Sequence, residues 1–271
     1  MGALLARASQ AGSSSAMNWY QHRPLATALR HLEPCLIPGA RVLDLGCGNG
    51  WLLQQLAALG TNAVGIDIDG RGLRAVRRAA PPGATRAHLI AADAARLPFA
   101  DQSFDAVVSI SVLQYTDWRR TLAECGRVLR KGGRAVFVEN LFGHPLARLY
   151  RAARRAFWPY QPNLVPRQHI AWRELGAFSE IFGAAVEVRA HALLTPALAL
   201  SDVASALPRR AQALEAGPYR EGRVGGGPGR TRRLAFEVLE AVDDVILRSG
   251  GRAEQLAWLA TVTCINGGPA A

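Results

Sequence analysis

Three carboxylates and one glycine run have the residue types and spacing for ligand chemistry. Val42-Leu43-Asp44-Leu45 is an apolar run with a single acid inside it, and it leads straight into Gly46-Cys47-Gly48-Asn49-Gly50. Glycine tolerates positive φ and has no side chain to hold a ligand away from the backbone. Trp51–Leu59 then opens a helix, whose first N–H groups are unpaired and carry partial positive charge. Asp67 lies 17 positions after Gly50 at the end of a second apolar run, and Asp93 follows a third. An acid at the end of a second strand suits ribose hydroxyls. Asp44 separates the possible nucleotides, because inside the first strand it repels a pyrophosphate and attracts a cation. The glycines also follow G-x-G-x-G, whereas dinucleotide sites use G-x-G-x-x-G. The residues therefore favour a nucleoside ligand with a cationic group. Asp93 is equally well placed to cap the turn that follows it.

Such residues must sit at the ends of parallel strands, and the chain supplies them. Strands are expected at Arg41–Leu45, Asn62–Asp67, Ala87–Ala91, Phe104–Ser109 and Arg134–Glu139, with helices at Trp51–Leu59, Gly70–Ala80 and Trp118–Leu129 between them. That alternation is the signature of βαβ construction, a doubly wound sheet as far as Asn140. Arg130-Lys131-Gly132-Gly133 reads as the end of the third helix, cations followed by glycine. Beyond Asn140 the rhythm changes. Pro145–Trp158 is expected as a helix with Leu146, Leu149, Tyr150, Ala153 and Phe157 on one face and Arg148, Arg151 and Arg155 beside them. A helix at Trp172–Phe182, a strand at Ala184–Leu194, a loop at Pro196–Arg233, a helix at Leu234–Arg248 and a strand at Leu256–Ile265 follow. The two late strands extend the sheet as an antiparallel pair, with a helical lid between them. The chain divides accordingly into a tail and capping helix at 1–40, a ligand-binding core at 41–140 and a substrate-side region at 141–271.

Composition bounds the partners. The 271 residues have a formal net charge of +11, and Lys131 is the only lysine. An arginine-rich surface favours acidic substrates, anionic membrane surfaces or nucleic acid. The cysteines Cys35, Cys47, Cys125 and Cys264 are scattered without Cys-x-x-Cys spacing, which argues against a metal site or a disulfide framework and fits the reducing cytoplasm. No apolar run reaches the roughly 20 residues that span a bilayer. Met1–Ala16 is basic, acid-free and lacks a secretory apolar region, so a frayed tail is expected.

Val42–Gly50, Gly65-Ile66-Asp67, Asp93 with Leu97-Pro98-Phe99 and Phe104-Asp105, and Leu129–Gly133 together resemble the class I S-adenosylmethionine-dependent methyltransferases. The likeness is greatest to the subgroup of ubiquinone and menaquinone C-methyltransferases. It implies a Rossmann-like, doubly wound, seven-stranded α/β sheet, mostly parallel with an antiparallel last strand, and S-adenosylmethionine as cofactor. The resemblance implies that Asp44 and Gly46, Cys47, Gly48 and Gly50 hold the methionine end of the cofactor. Asp67 would then take the ribose hydroxyls, Ile68 would lie on the adenine, Asp93 and the Ala94 N–H would bond the adenine, and Ser109 would face the methionine. Tyr20 and Arg23 lie on a short helical segment where relatives close over the cofactor; a packing aromatic and a solvated arginine serve equally well there. For a hydroxyl acceptor a base is needed, and the candidates are His144, His169 and Tyr115. His144 follows the fifth strand, where open α/β sheets bind ligands. The absence of an Asn-Pro-Pro-Tyr/Phe sequence argues against methylation of nucleobase amino groups, and no metal-ligand cluster is visible.

These features lead to a methyltransferase acting at oxygen or carbon on a small lipophilic or secondary-metabolite acceptor. The basic helix at Pro145–Trp158 suggests an anionic or membrane-associated acceptor, and attachment at a membrane periphery. The competing readings are an RNA methyltransferase, a nicotinamide oxidoreductase, and a binding or assembly protein that keeps the fold without turnover. Asp44 and the glycine spacing disfavour the oxidoreductase, and no RNA-binding module accompanies the charge.

Overall fold

The computed structural model describes residues 22–79, 88–146, 148–149, 152, 168–195, 230–248 and 251–267. Seven strands form one sheet: β1 (Arg41–Leu45), β2 (Asn62–Asp67), β3 (His88–Ala91), β4 (Phe104–Ile110), β5 (Leu129–Asn140), β6 (Val186–His191) and β7 (Leu259–Ile265). Their spatial order is β3-β2-β1-β4-β5-β7-β6, and β1 to β5 pair in parallel. β7 runs the other way. Just past its end, Asn266 exchanges bonds with Gly132 and Gly133 near the start of β5, whereas just before its beginning Trp258 accepts from Leu141 past the end of β5. β1 and β2 are buried along nearly their whole length, which is why they read as continuous apolar runs.

Two compact units can be distinguished. One comprises Thr27–Asn140, Val165–Arg189 and Thr261–Ala271 and holds all but the ends of β6 and β7; the other comprises Met1–Ala26, Leu141–Leu164 and Ala190–Ala260. The helices are α1 (His22–Leu32), α2 (Trp51–Ala58), α3 (Gly70–Ala79), α4 (Trp118–Val128), α5 (Gly176–Phe182) and α6 (Arg230–Arg248). α1 buries Leu25, Ala28, Leu29 and Leu32, the i, i+3, i+4, i+7 face of an amphipathic helix. Asp117 caps α4 by accepting from the Arg120 N–H, and Trp118, Thr121, Leu122, Cys125 and Val128 form its buried face. Trp118 stacks on Phe178 of α5, and Phe137 of β5 meets both Phe178 and Phe182. Each of these buried aromatics contributes roughly 2–3 kcal/mol by area. Among the described residues, no helix is long and apolar enough to cross a membrane.

Several expected boundaries move. α4 ends at Val128, and Leu129–Gly133 belongs to β5 rather than to the end of the helix. The register between β4 and β5 slips there, Phe104 pairing with Leu129 but Ala106 with Arg134, so the cations and glycines form an irregularity in the strand. Asn266 explains the choice, because its side-chain amide donates to the carbonyls of Gly126 and Leu129 and closes the helix from outside. Trp172–Phe182 is a 3-10 turn at Trp172–Glu174 followed by α5. α6 begins at Arg230, inside the expected loop, and the last strand begins at Leu259, after a 3-10 segment at Gly251–Leu256. Of the expected helix at Pro145–Trp158, residues 145, 146, 148, 149 and 152 are helical and the others lie outside the described residues. Met1–Ala16 and residues 196–229 also lie outside them.

The last turn of α4 also fixes the loop between β3 and β4. Arg127 donates to the carbonyls of Leu97 and Phe99 and to Asp101, while binding Glu124 through two nitrogens. Glu124 in turn accepts the Leu97 N–H at 2.7 Å. The Arg127 hydrogen bonds hold the Glu124 carboxyl below the usual range. Arg127→Ala should cost about 1–2 kcal/mol, a fall of a few degrees in Tm. Arg127→Lys should recover less than half of it, since an ammonium cannot reproduce the fork. Thermal unfolding in 0.15 M salt measures both, and an unchanged Tm in Arg127→Ala would show that the loop holds itself.

Candidate active site

The strand order reverses between β1 and β4, and in open α/β sheets the crevice beyond such a switch point receives the ligand. On the β1 side stands Gly46–Gly50. Gly46, Gly48 and Gly50 all have positive φ, of 68°, 52° and 71°. At Gly46 an added Cβ would lie 2.4 Å from Val112 Cγ2, whereas at Gly48 it would meet nothing within 4 Å. Gly46 is thus glycine for packing as well as for φ, and Gly48 leaves open space above the turn. Cys47 is buried, and its N–H donates to the Ile66 carbonyl. Burial, followed by the charges of Asp44 and Asp67, pushes its thiol up, so it is a small packing group there.

Asp44 is 3% exposed in β1, and its Oδ2 is buried without a hydrogen-bond partner. Burial first and the Asp67 carboxylate second push its carboxyl up to about 7, against a Leu53 backbone hydrogen bond that works the other way. A buried acceptor without a partner is costly unless something cationic or protic meets it. Gly65, part of the Gly65-Ile66-Asp67 motif though given no role of its own there, lies opposite Asp44 in the ladder. A Cβ there would come within 2.7 Å of Leu53 and 2.8 Å of Cys47 Sγ, so this glycine makes room for the turn to pack on β2.

Asp67 ties the turn to the end of β2. Its Oδ2 accepts the Gly48 N–H and its Oδ1 accepts the Asp69 N–H, both at 2.9 Å. Each oxygen keeps a second lone-pair direction for a hydroxyl. Ile68 is 68% exposed, an apolar side chain left on the surface beside that carboxylate. Asp93 is exposed and caps its own turn, Oδ1 accepting the Ala95 N–H at 2.9 Å, and Ala94 is buried within that turn. Asp44, the glycine turn, Asp67, Asp93 and Ala94 are thus all carried at the carboxyl ends of β1, β2 and β3.

Ser109 is fully buried, and its hydroxyl lies 3.5 Å from Glu139 Oε1. The β4 exit is the turn at Ser111–Tyr115, with Ser111 at φ 57° and Asn140 Nδ2 donating to its hydroxyl. Tyr115 is half-buried in that turn. Gln168 N–H donates to the Gln114 carbonyl, which brings His169 to the same loop cluster. His144 belongs to the other unit; it is buried, and its Nε2 lies 2.6 Å from the Leu193 carbonyl in a turn that Asp243 holds through three backbone N–H groups. That arrangement is what a structural histidine needs. Arg23 lies on α1, its side chain not described, and Tyr20 lies outside the described residues. Sequence reading also missed Glu139, although the signal was present: like Asp44, it is an acid inside an apolar strand run.

A groove of about 570 Å³, lined by Arg41, Val64, Arg77, His88, Leu89, Ile90 and Phe99, includes the first residues of β1 and β3. It lies toward the opposite ends of the strands from the glycine turn and is a separate feature. Among the described residues, no three His, Cys, Asp or Glu side chains cluster to hold a metal.

Comparison with known proteins agrees with this geometry. Residues 43–137 match the profile of a methyltransferase domain. The chain is 38% identical over 134 residues to malonyl-[acyl-carrier protein] O-methyltransferase of Methylococcus capsulatus, covering 49% of this chain and 47% of that protein. It is 40% identical over 131 residues to demethylmenaquinone methyltransferase of Clavibacter sepedonicus, covering 48% and 51%. The chain therefore spans about half the length of these curated relatives. Among solved structures, the Haemonchus contortus phosphoethanolamine N-methyltransferase 2 bound to S-adenosyl-L-methionine shares the fold, with TM-score 0.52 and 18% identity, over 89% of this chain and 52% of that one. The sheet order and the glycine turn with its flanking acids agree with that profile match, and residues 43–137 of this chain are similar to a methyltransferase domain.

Proposed function

We propose that the protein methylates a small lipophilic or secondary-metabolite acceptor at oxygen or carbon. The observation that carries this reading is the buried, unpartnered Asp44 oxygen beneath a glycine turn that Asp67 holds in place. When bound, S-adenosylmethionine would supply an electrophilic methyl group whose in-line transfer to the acceptor breaks the sulfonium S–C bond and leaves the neutral thioether, S-adenosylhomocysteine. In this reading Asp44 would receive the cofactor ammonium, the Gly46–Gly50 backbone would hold the methionine, Asp67 would accept from the ribose hydroxyls and Ile68 would cover the adenine. Rate then comes mainly from positioning and from excluding water. If the acceptor is a hydroxyl, the proton must leave it, and His169 and Tyr115 at the β4 exit are the groups in the sheet-bearing unit that can take it. The base adds about 10²–10⁴-fold where it is needed.

The substrate class is supported by the relatives, one named for a malonyl carrier protein and the other for a demethylmenaquinone. It is also supported by the segment after β5, where Phe142 and Leu149 are exposed and Arg148 lies over the Phe142 ring. Apolar side chains beside a cation suit an amphipathic acceptor or a lipid surface. Calorimetry with S-adenosylmethionine and S-adenosylhomocysteine should show micromolar binding. Incubating source-cell extract with the protein and methyl-labelled cofactor, followed by mass spectrometry, should then yield a labelled small molecule in the lipid or organic-soluble fraction. Label found in RNA instead would overturn the acceptor class, and binding without any labelled product would favour a non-catalytic role.

A further inference from the structure

Glu139 is a buried carboxyl at the end of β5 with no place in the cofactor contacts described above. Its Oε1 accepts the N–H groups of Val112 at 3.1 Å and Leu113 at 3.2 Å, with Ser109 Oγ at 3.5 Å. The turn it serves is over-determined. Ser111 is held at positive φ, Asn140 Nδ2 donates to its hydroxyl, and Gln114 Nε2 donates to its carbonyl. A non-glycine residue keeps such a conformation only where its surroundings fix it, and such positions cluster at ligand sites. Val112, whose amide is pinned, also presents its side chain to Gly46: a Cβ on that glycine would come within 2.4 Å of Cγ2 and 3.0 Å of Cγ1. The β4 exit and the glycine turn therefore meet at one valine.

We propose that Glu139 is a positioning residue of the cofactor site, fixing Val112 by its backbone so that the valine side chain backs Gly46 and sets the shape of the glycine turn. The inference rests on the methyltransferase reading for the identity of the ligand, but the pin itself is a statement about this chain. Desolvation by burial pushes the Glu139 carboxyl up to about 8, which favours the neutral acid at pH 7, and in either form Oε1 accepts. Glutamine reproduces that acceptor, whereas leucine fills the space without it.

The test is a double-mutant cycle read as S-adenosylhomocysteine affinity by calorimetry at pH 7. Glu139→Gln should bind within about threefold of the wild type. Glu139→Leu should bind about tenfold more weakly while remaining folded by thermal melt. In a Val112→Ala background, which removes the side chain that carries the effect, Glu139→Leu should cost less than about twofold further, because coupled residues are non-additive. Wild-type affinity in Glu139→Leu, or equal losses in both backgrounds, overturns the proposal. A second measurement does not depend on the variants folding. The Val112 and Leu113 amides of the wild type should be protected from hydrogen exchange without any ligand, and free exchange at both would remove the pin. If the wild type binds no S-adenosylhomocysteine while these amides are protected, it is the methyltransferase reading that fails, and the pin stands.

Discussion

Asp67→Ala is expected to weaken cofactor binding at least 100-fold while leaving the sheet folded. The carboxylate has two duties that a methyl group cannot share. Within the protein it accepts the Gly48 and Asp69 N–H groups, joining the glycine turn to the end of β2 and starting the turn into α3. Toward the ligand it offers the remaining lone pairs to the ribose hydroxyls. Hydrogen bonds to a charged group contribute about 1.5–3 kcal/mol each, and a 100-fold change in Kd corresponds to about 2.7 kcal/mol, so loss of the ligand bonds alone accounts for the effect. The backbone bonds lie at the half-exposed carboxyl end of β2, where water can replace the lost acceptor, so Tm should fall by only a few degrees. Asp67→Asn keeps one acceptor oxygen and should be intermediate, about tenfold weaker. Calorimetry with S-adenosylhomocysteine and a thermal melt on the same samples separate the two duties. A folded Asp67→Ala protein that binds within threefold of the wild type would place the ribose elsewhere.

The glycine turn and its flanking acids are legible in the sequence because their signals are local. An acid inside an apolar strand, three glycines at alternate positions and an acid at the next strand end fall within one strand–helix–strand unit, and the structure carries them at the carboxyl ends of adjacent strands. What escaped depends on partners far away in the chain. Arg130-Lys131-Gly132-Gly133 looks like the end of a helix, yet Asn266 reaches Leu129 across 137 positions and turns the segment into strand. Ser109 has Glu139, thirty residues later, beside its hydroxyl at 3.5 Å, a neighbour its place at a strand end does not announce. His144 has the right address after β5 for catalysis, and the Leu193 carbonyl, 49 residues on, occupies its Nε2. Side-chain pairing of this kind leaves no period or spacing in the sequence. The two readings also differ in what they require. Strand and turn follow from backbone chemistry repeated over several residues, whereas a single polar side chain takes whichever partner the completed fold brings to it.

Asp44→Asn should raise the stability of the ligand-free protein at pH 8 while weakening cofactor binding by 100-fold or more. The sign follows from the carboxyl being pushed up to about 7 by burial and by Asp67, against an ordinary value near 3.8. A group whose folded pKa is raised stabilises fully below its unfolded pKa and loses that contribution as pH climbs through the folded value. Between about pH 4 and pH 7 the folded chain therefore keeps a proton that the unfolded chain has released, and stability from this site declines across that window. Three units at 1.36 kcal/mol each set a ceiling of about 4 kcal/mol, and relaxation around the buried group brings the expected gain to roughly 2–4 kcal/mol. Asparagine has the same shape and never ionises, so the variant should match the wild type only below about pH 4, lead it modestly by pH 5 and exceed it by several degrees in Tm at pH 8. Glu139 titrates in the same direction in both proteins and cancels in the comparison. Cofactor reverses the order. An ammonium beside Asp44 favours the ionised form, so wild-type affinity should rise about tenfold per unit as pH increases toward 7 and then level off, while Asp44→Asn stays flat and weak. Melts of both proteins from pH 4 to 8, with and without S-adenosylhomocysteine, contain the whole test. An Asp44→Asn protein less stable than the wild type at pH 8 without ligand would mean that the carboxylate already has a partner inside the fold, and that its burial serves structure rather than the cofactor. The expected outcome is the opposite: a strand made less stable by a charge that only the bound cofactor can satisfy, the stability–function conflict that catalytic sites tend to carry.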